Sequence, residues 1–412
     1  MPTAPTASST SSNLGGAVER CVGDAAAFVR DHWATAPLLR RGAGPHGFGD
    51  LLSLDAVDRF LATSPRTPAF RLVKDGKPLP PSAYTKSGRV GSQPLADLAD
   101  AGKVYDHFHA GATIVLQGLH RWWPPLTAFC RELELFLTHP VQVNAYLTPP
   151  ASRGLGVHHD THDVFVLQVH GRKLWQVWDA AVPFPLPHQR KLPPGAEAPA
   201  EPPLVDAELA PGDCLYVPRG FRHAARTAET ASLHLTVGMP TRNWNEVLRE
   251  VVELATEEAW FRESLPVGFA DDPAGLEAAL AERVEELRRF LDKVDLAKVA
   301  DRAGRRFWAN RPPPLEGQLR ALLSLDELGD DTVLRRRPGT TWHLRAGGER
   351  LQLLLGDRTL TMPATLEPAV RRLLEADRCT PAELAGHLDG PSRLVLARRL
   401  VREGLLRPTP VD

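Results

Sequence analysis

The sequence predicts a mixed α and β protein: a β-rich domain of sandwich or jelly-roll type, then a helical region, then a smaller unit of short strands and helices. Three observations carry this reading. Between Phe70 and Gly238, short apolar runs alternate with turns containing Pro and Gly, as expected of many short strands. Further on, Leu276, Leu280, Val284, Leu287 and Leu291 recur at helical spacing with Glu and Arg between them. After Pro312-Pro-Pro, brief β-like runs give way to helical ones.

Taken in order, residues 1–15 are rich in Ser, Thr, Pro and Ala, without a basic start or an apolar run, and read as a disordered tail and not a signal peptide. Residues 16–240 form the first domain. Val18 to Leu61 reads as helical pieces, with Phe28, Trp33, Leu38 and Leu39 as core anchors. The strand candidates are Phe70–Val73, Thr113–Leu116, Val141–Leu147, Val164–Val169, Lys173–Trp178, Cys214–Val217 and Ser232–Val237. A helical insert at Trp122–Leu137 interrupts them, and the Pro/Ala-rich Leu192–Pro203 reads as an exposed loop. A jelly roll would protect the sheet edges that so many strands create.

Residues 241–311 are expected to be helical, with helices over roughly Asn243–Arg262 and Ala274–Arg306. Their apolar stripes need a partner surface, either the β-domain or a second subunit. Residues 312–412 offer strands at Val333–Leu334, Thr341–Leu344, Leu351–Leu355 and Thr359–Met362, then helices at Leu366–Ala376, Pro381–Leu388 and Ser392–Leu406. Thr380 before Pro381 and Glu383 is a helix-start pattern. The order suggests a winged-helix-like unit whose last helix carries Arg393, Arg398, Arg399 and Arg402.

The chain has 412 residues, 43% hydrophobic and 24% charged, the balance of a soluble globular protein. Its formal net charge of −1 supplies no bulk field for nucleic acid or an anionic membrane. No apolar run reaches membrane-spanning length. Cys21, Cys130, Cys214 and Cys379 lie far apart with no Cys-x-x-Cys pair, which argues against a zinc knuckle or disulfide framework and points to a reducing, cytoplasmic setting.

Two segments hold the candidate chemistry. In Gly154-Leu-Gly-Val-His-His-Asp, His158 and Asp160 share parity, so an extended backbone sends both side chains to one face and His159 to the other. The third ligand must come from another strand, and His223 follows the turn Pro218-Arg-Gly at the edge of a second β-rich stretch. Two imidazoles and one carboxylate leave several positions of an octahedral ion open, the arrangement of non-haem Fe(II) oxygenases. His162 has the parity of His158 and is the rival ligand; His234 is a second. Both read more simply as hydrogen-bonded core histidines.

These segments resemble the JmjC-type cupins of the ribosomal-oxygenase family. The stretch Gly154 to Trp175 is similar to that family's metal strand and following hairpin, and Leu209 to Ala224 to the segment carrying its second His. The resemblance implies a double-stranded β-helix (cupin) JmjC domain over residues 16–240, a dimerising helical region over 241–311 and a winged-helix-like domain over 312–412. It implies Fe(II) on His158, Asp160 and His223, with 2-oxoglutarate and O2 as co-substrates. Lys173 falls where the family holds the distal carboxylate of 2-oxoglutarate; by itself it would read as a solvent-facing residue after a turn. Asn144 and Tyr146, which share a strand face, match a family strand lining the co-substrate pocket, and Thr236 is a further co-substrate candidate. Where the family usually has an aromatic residue this chain has His159, and His162 replaces an apolar or acidic one; both changes bear on substrate identity.

The implied activity is hydroxylation of a protein side chain, an Arg or His of a ribosomal protein by analogy, in a homodimer. A basic partner would be drawn by acids at the pocket mouth, for which Asp100, Asp106, Asp163 and Asp179 are candidates. Alternatives are N-methyl demethylation by the same centre, a metal-binding cupin without oxygenase activity, and a DNA-binding regulator using the C-terminal arginines.

Overall fold

A computed structural model of the chain describes residues 16–42, 47–152, 156–197, 199–227, 229–311 and 313–409. The expected tail, residues 1–15, lies outside them, as do the first residues of the Gly154 motif. Two compact units emerge. One comprises Met1–Thr241 with Arg335–Gly339 and Leu374–Arg378; the other comprises Arg242–Leu334, Thr340–Leu373 and Cys379–Asp412.

The first unit is built on an eight-stranded antiparallel sheet. Its spatial order is Leu38–Arg40, Cys214–Val217, Asp163–His170, Ser232–Met239, Gln142–Thr148, Thr113–Leu116, Phe70–Lys74 and Lys77–Pro78. A smaller sheet orders Val205–Leu209, Lys173–Ala180 and Phe221–Arg226. Alternation along Asp163–His170 explains the layering. Val164 and Val166 pack with Trp175, Val177, Leu209 and Leu215 between the sheets, whereas Phe165, Leu167 and Val169 join the core on the outer face. There the strand meets Val18 and Cys21 of helix Gly16–Val22, Phe28 of helix Ala25–Asp31 and Leu126, Phe129 and Leu133 of helix Pro124–Leu137. Both faces are covered, so Val164 to Leu167 form an unbroken apolar run within the strand.

Gly171 makes the chain's passage from one sheet to the other possible. It sits at φ +64° between Asp163–His170 and Lys173–Ala180, and a Cβ there would stand 1.7 Å from the carbonyl oxygen of Ala231. The hairpin Thr85–Val90/Gln93–Ala99 and helix Ala101–His109 escape the apolar-run pattern because their residues are mostly exposed or half-buried. Val205–Leu209 and Phe221–Arg226 are strands the sequence pattern also misses, each short and carrying charge on its outward positions.

In the second unit the expected single helix Ala274–Arg306 is two helices, Pro273–Leu291 and Leu296–Trp308. Asp295 breaks it: its carboxylate accepts the Ala297 and Lys298 amides, capping the second helix. The expected helix Asn243–Arg262 stops at Leu254 and continues as 3-10 turns. A three-stranded antiparallel meander, Trp342–Gly347, Arg350–Leu355 and Thr359–Pro363, follows. Thr380 and Glu383 form a full capping box, but over a 3-10 turn, Pro381–Leu384, and helix Gly390–Arg402 with strand Leu406–Pro408 closes the unit. Three of the helix's four arginines are engaged: Arg393 Nε pairs with Asp330 at 2.7 Å, Arg398 donates to the Asp326 and Leu328 carbonyls, and Arg399 pairs with Glu403. A phosphate-reading role for this helix would first have to break those bonds. Among the described residues no helix is long and apolar enough to cross a membrane, and all four cysteines are buried thiols.

Candidate active site

The His158–Asp160 segment is not itself a strand. His158 forms an isolated antiparallel bridge with His223, each backbone amide donating to the other's carbonyl at 3.1 and 2.8 Å. His223 belongs to strand Phe221–Arg226, so the bridge ties both histidines to the small sheet. The Asp160 carbonyl accepts the Gly220 amide at 2.9 Å. Gly220 has φ +87°, and a Cβ on it would lie 2.1 Å from the Val182 carbonyl oxygen, so glycine is required for this approach.

Ligand atoms of His158, Asp160 and His223 lie within 4.8 Å of one another. Each imidazole is oriented by its own chain: His158 Nδ1 meets the Gly156 carbonyl at 2.8 Å and His223 Nδ1 the Phe221 carbonyl at 3.0 Å. A carbonyl only accepts, so both Nδ1 atoms carry protons and both Nε2 atoms keep lone pairs for a metal. Burial, and then His158, push the His223 imidazole down to about 4, against the pull of Asp160; it is neutral near pH 7. The His223 Nε2 to Asp160 Oδ2 separation of 3.7 Å is therefore no ion pair. Two donors each bound about 2.1 Å from one ion lie about 3–4 Å apart, so this gap fits a shared cation. Burial favours the neutral Asp160 acid, but the surrounding histidines, His223 foremost, outweigh it and hold the carboxyl below its usual range.

The three residues edge a cavity of about 270 Å³ between the two sheets. Lys173 lines it on the inward face shared with Trp175 and Val177 and is 4% exposed, not solvent-facing. Among the described residues its hydrogen-bond partner is the Thr148 hydroxyl at 3.3 Å, which is held in turn by Thr113 at 3.2 Å. Burial alone lowers its ammonium to about 7. A buried ammonium held by one hydroxyl, with the Trp175 ring centre 5.9 Å away, suits the distal carboxylate of an anionic ligand.

Tyr146 and Thr236 line the same cavity. Asn144 does not. Its amide oxygen accepts the Gly118 amide at 3.0 Å, although it shares a strand with Tyr146. His234 lines the wall, stacked on Tyr146 with ring centres 5.1 Å apart and edge-on to Trp175, and its Nδ1 is unpartnered, so it is not the hydrogen-bonded core residue expected. His159 is turned away, its Nε2 on the Gln189 carbonyl at 2.8 Å. His162 lies against Gly238, where a Cβ would stand 2.7 Å from its ring, and is not in the ligand group.

The acids expected at the pocket mouth are elsewhere. Asp163 is buried against the Tyr216 hydroxyl and the Arg219 amide, Asp100 caps helix Ala101–His109, Asp179 accepts the Ala180 amide, and Asp106 lies within that same helix. None of the four lines the cavity. Sequence reasoning also missed Arg71, Thr148 and Trp175. Thr148 had a signal, since it shares strand parity with Asn144 and Tyr146.

Residues 120–247 match the JmjC domain family. Similar proteins include ribosomal oxygenases. Ribosomal oxygenase 1 of Homo sapiens is 36% identical over 251 residues, covering 59% of this chain and 38% of that protein. Its counterpart in Gallus gallus is 28% identical over 314 residues, covering 72% and 51%. The chain thus spans about half or less of the curated relatives' length. Among solved structures, the X-ray structure of ycfD from E. coli matches with TM-score 0.57 and 21% identity, covering 94% of this chain and 99% of that one. The same E. coli ribosomal oxygenase in complex with cobalt and 2-oxoglutarate matches with TM-score 0.54 and 20% identity, covering 93% and 97%. At that identity these structures show the fold.

Proposed function

We propose that the protein is an Fe(II)- and 2-oxoglutarate-dependent oxygenase that hydroxylates a side chain of a protein, with a ribosomal protein as the target suggested by its relatives. One observation carries the reading: a two-imidazole, one-carboxylate group with both Nε2 atoms free opens onto the same cavity as a buried ammonium. His158, Asp160 and His223 would hold the metal, and Lys173 with Thr148 the distal carboxylate of 2-oxoglutarate. When bound, this pair supplies O2 activation: one oxygen atom enters the new hydroxyl and the other enters succinate, with release of CO2. The chain's own residues orient and enclose. Nδ1–H donation to carbonyls fixes both imidazole planes, the His158–His223 bridge fixes their separation, and Trp175, Val164, Val166 and Val217 keep the cavity wall apolar.

The helical region supports a homodimer. Leu280, Val284 and Leu291 of helix Pro273–Leu291 are exposed, and Leu276, Leu280, Val284 and Leu287 flank an apolar groove with Trp260, Phe261 and Leu265. A cytoplasmic setting accords with four buried free thiols.

The test is anaerobic addition of Fe(II) and 2-oxoglutarate, followed by visible absorption of the ternary complex, and then O2 with succinate measured. The parent protein is expected to develop the absorption and form succinate, and His158→Ala to do neither. Failure of the parent to bind 2-oxoglutarate in the presence of Fe(II) would overturn the proposal.

A further inference from the structure

Arg71, Val115, Tyr146 and His234 stand opposite one another in register across four neighbouring strands, and all four line the cavity. The row runs from His234, close enough to Lys173 to feel its charge, out to Arg71 on the strand next to the sheet edge. Arg71 is held there. Its Nε donates to Gln117 Oε1 at 2.7 Å, Gln117 is itself anchored on the Pro68 carbonyl, and the guanidinium charge is felt at the Tyr146 phenol, where it opposes the upward push of burial.

Charge around the cavity is lopsided. Arg71 and Lys173 are the Arg and Lys side chains of the described lining and Asp160 is its one carboxylate; in the reading above Asp160 is committed to the metal and Lys173 to 2-oxoglutarate, which leaves Arg71 as the charge facing a substrate. A guanidinium or an alkylated ammonium entering past Arg71 would meet like charge with no spare acid to offset it. A neutral side chain carrying an acceptor nitrogen or oxygen would meet a fixed N–H donor instead. The wall selects by repulsion as much as by attraction.

We infer that Arg71 determines specificity: it admits a neutral, hydrogen-bond-accepting side chain, an imidazole or a primary amide, and rejects guanidinium and alkylated ammonium groups. The inference rests on the oxygenase reading and narrows it, disfavouring arginine hydroxylation and lysine demethylation.

The experiment uses the full chain loaded with Fe(II) and 2-oxoglutarate and four peptide libraries with degenerate flanks, differing only in a central His, Asn, Arg or trimethyllysine. Succinate above the peptide-free baseline and the mass of the modified peptide are read. The His or the Asn library is expected to exceed both cationic libraries by about tenfold or more, and which of the two leads separates imidazole from amide. Arg71→Glu is expected to reverse the neutral-to-cationic ratio and Arg71→Gln to narrow it. Should the charge reversal fail to fold, the parent's ratio and the Arg71→Gln ratio still decide. Succinate formation in which the cationic libraries are preferred, no library is preferred, or the ratio is indifferent to Arg71 overturns the assignment while leaving the oxygenase standing. Absence of 2-oxoglutarate binding and of succinate in every arm removes the oxygenase reading and this inference with it.

Discussion

Lys173 carries a charge that its burial disfavours. Its ammonium titrates at about 7 in the folded chain, against 10.5 ordinarily, because burial penalises the charged form. Between those values the unfolded chain binds more protons, so this residue makes stability rise with pH from 7 toward 10.5; below 7 its penalty is fully present. Lys173→Met, free of the charge, is therefore expected to melt above the parent protein at pH 6, with the gap closing as pH approaches 10. A pH-independent gap would contradict the burial argument. The same variant is expected to lose about 10- to 100-fold in 2-oxoglutarate affinity, the worth of a charge-assisted bond, while calorimetry with Mn(II) shows the ion still bound. The three candidate ligands could be read from the sequence because parity places His158 and Asp160 on one face. Arg71 could not: alternation in Phe70-Arg-Leu-Val-Lys separates two faces without saying that the polar one looks into a cavity. Lys173 posed the same ambiguity, and only the family resemblance resolved it.

Among the elements, the turn before strand Phe221–Arg226 matters most to the site. Gly220 occupies the left-handed region and its amide holds the Asp160 backbone. Gly220→Ala is expected to lose about 1–3 kcal/mol from backbone conformation alone, more from the clash with Val182, and to weaken metal binding through Asp160. Urea denaturation of the metal-free protein and Mn(II) titration would check the two effects separately; unchanged midpoint and affinity would refute both. Strands holding unbroken apolar runs, such as Val164 to Leu167 within Asp163–His170 and Cys214–Val217, were legible because both of their faces are covered. The hairpin Thr85–Val90/Gln93–Ala99 was not, since its outward residues give no periodic contrast. Helix Pro273–Leu291 was legible from its spacing, but its end was hidden in Asp292 to Asp295, where caps outweigh the continuing apolar stripe.

For the whole molecule, the exposed stripe on Pro273–Leu291 sets the expected assembly. Leu280→Arg with Val284→Arg is expected to convert a two-copy mass to a one-copy mass in light scattering, and a parent protein that already scatters as one copy would refute the dimer. Fold class was readable because strand and helix periodicities occupy separate stretches of the chain; the second unit was harder, since its short strands and 3-10 turns carry weak periods. The reciprocal main-chain bonds between His158 and His223 reach beyond geometry. They tie the two imidazoles of the nitrogen–nitrogen–oxygen group together through the backbone, so little rearrangement is left by which the protein could discriminate. Such a group ranks divalent ions by the Irving–Williams series, with nickel and copper above iron. Ferrous occupancy would then be governed by which ion the surroundings supply, and protein isolated with nickel or zinc would still be competent once exchanged.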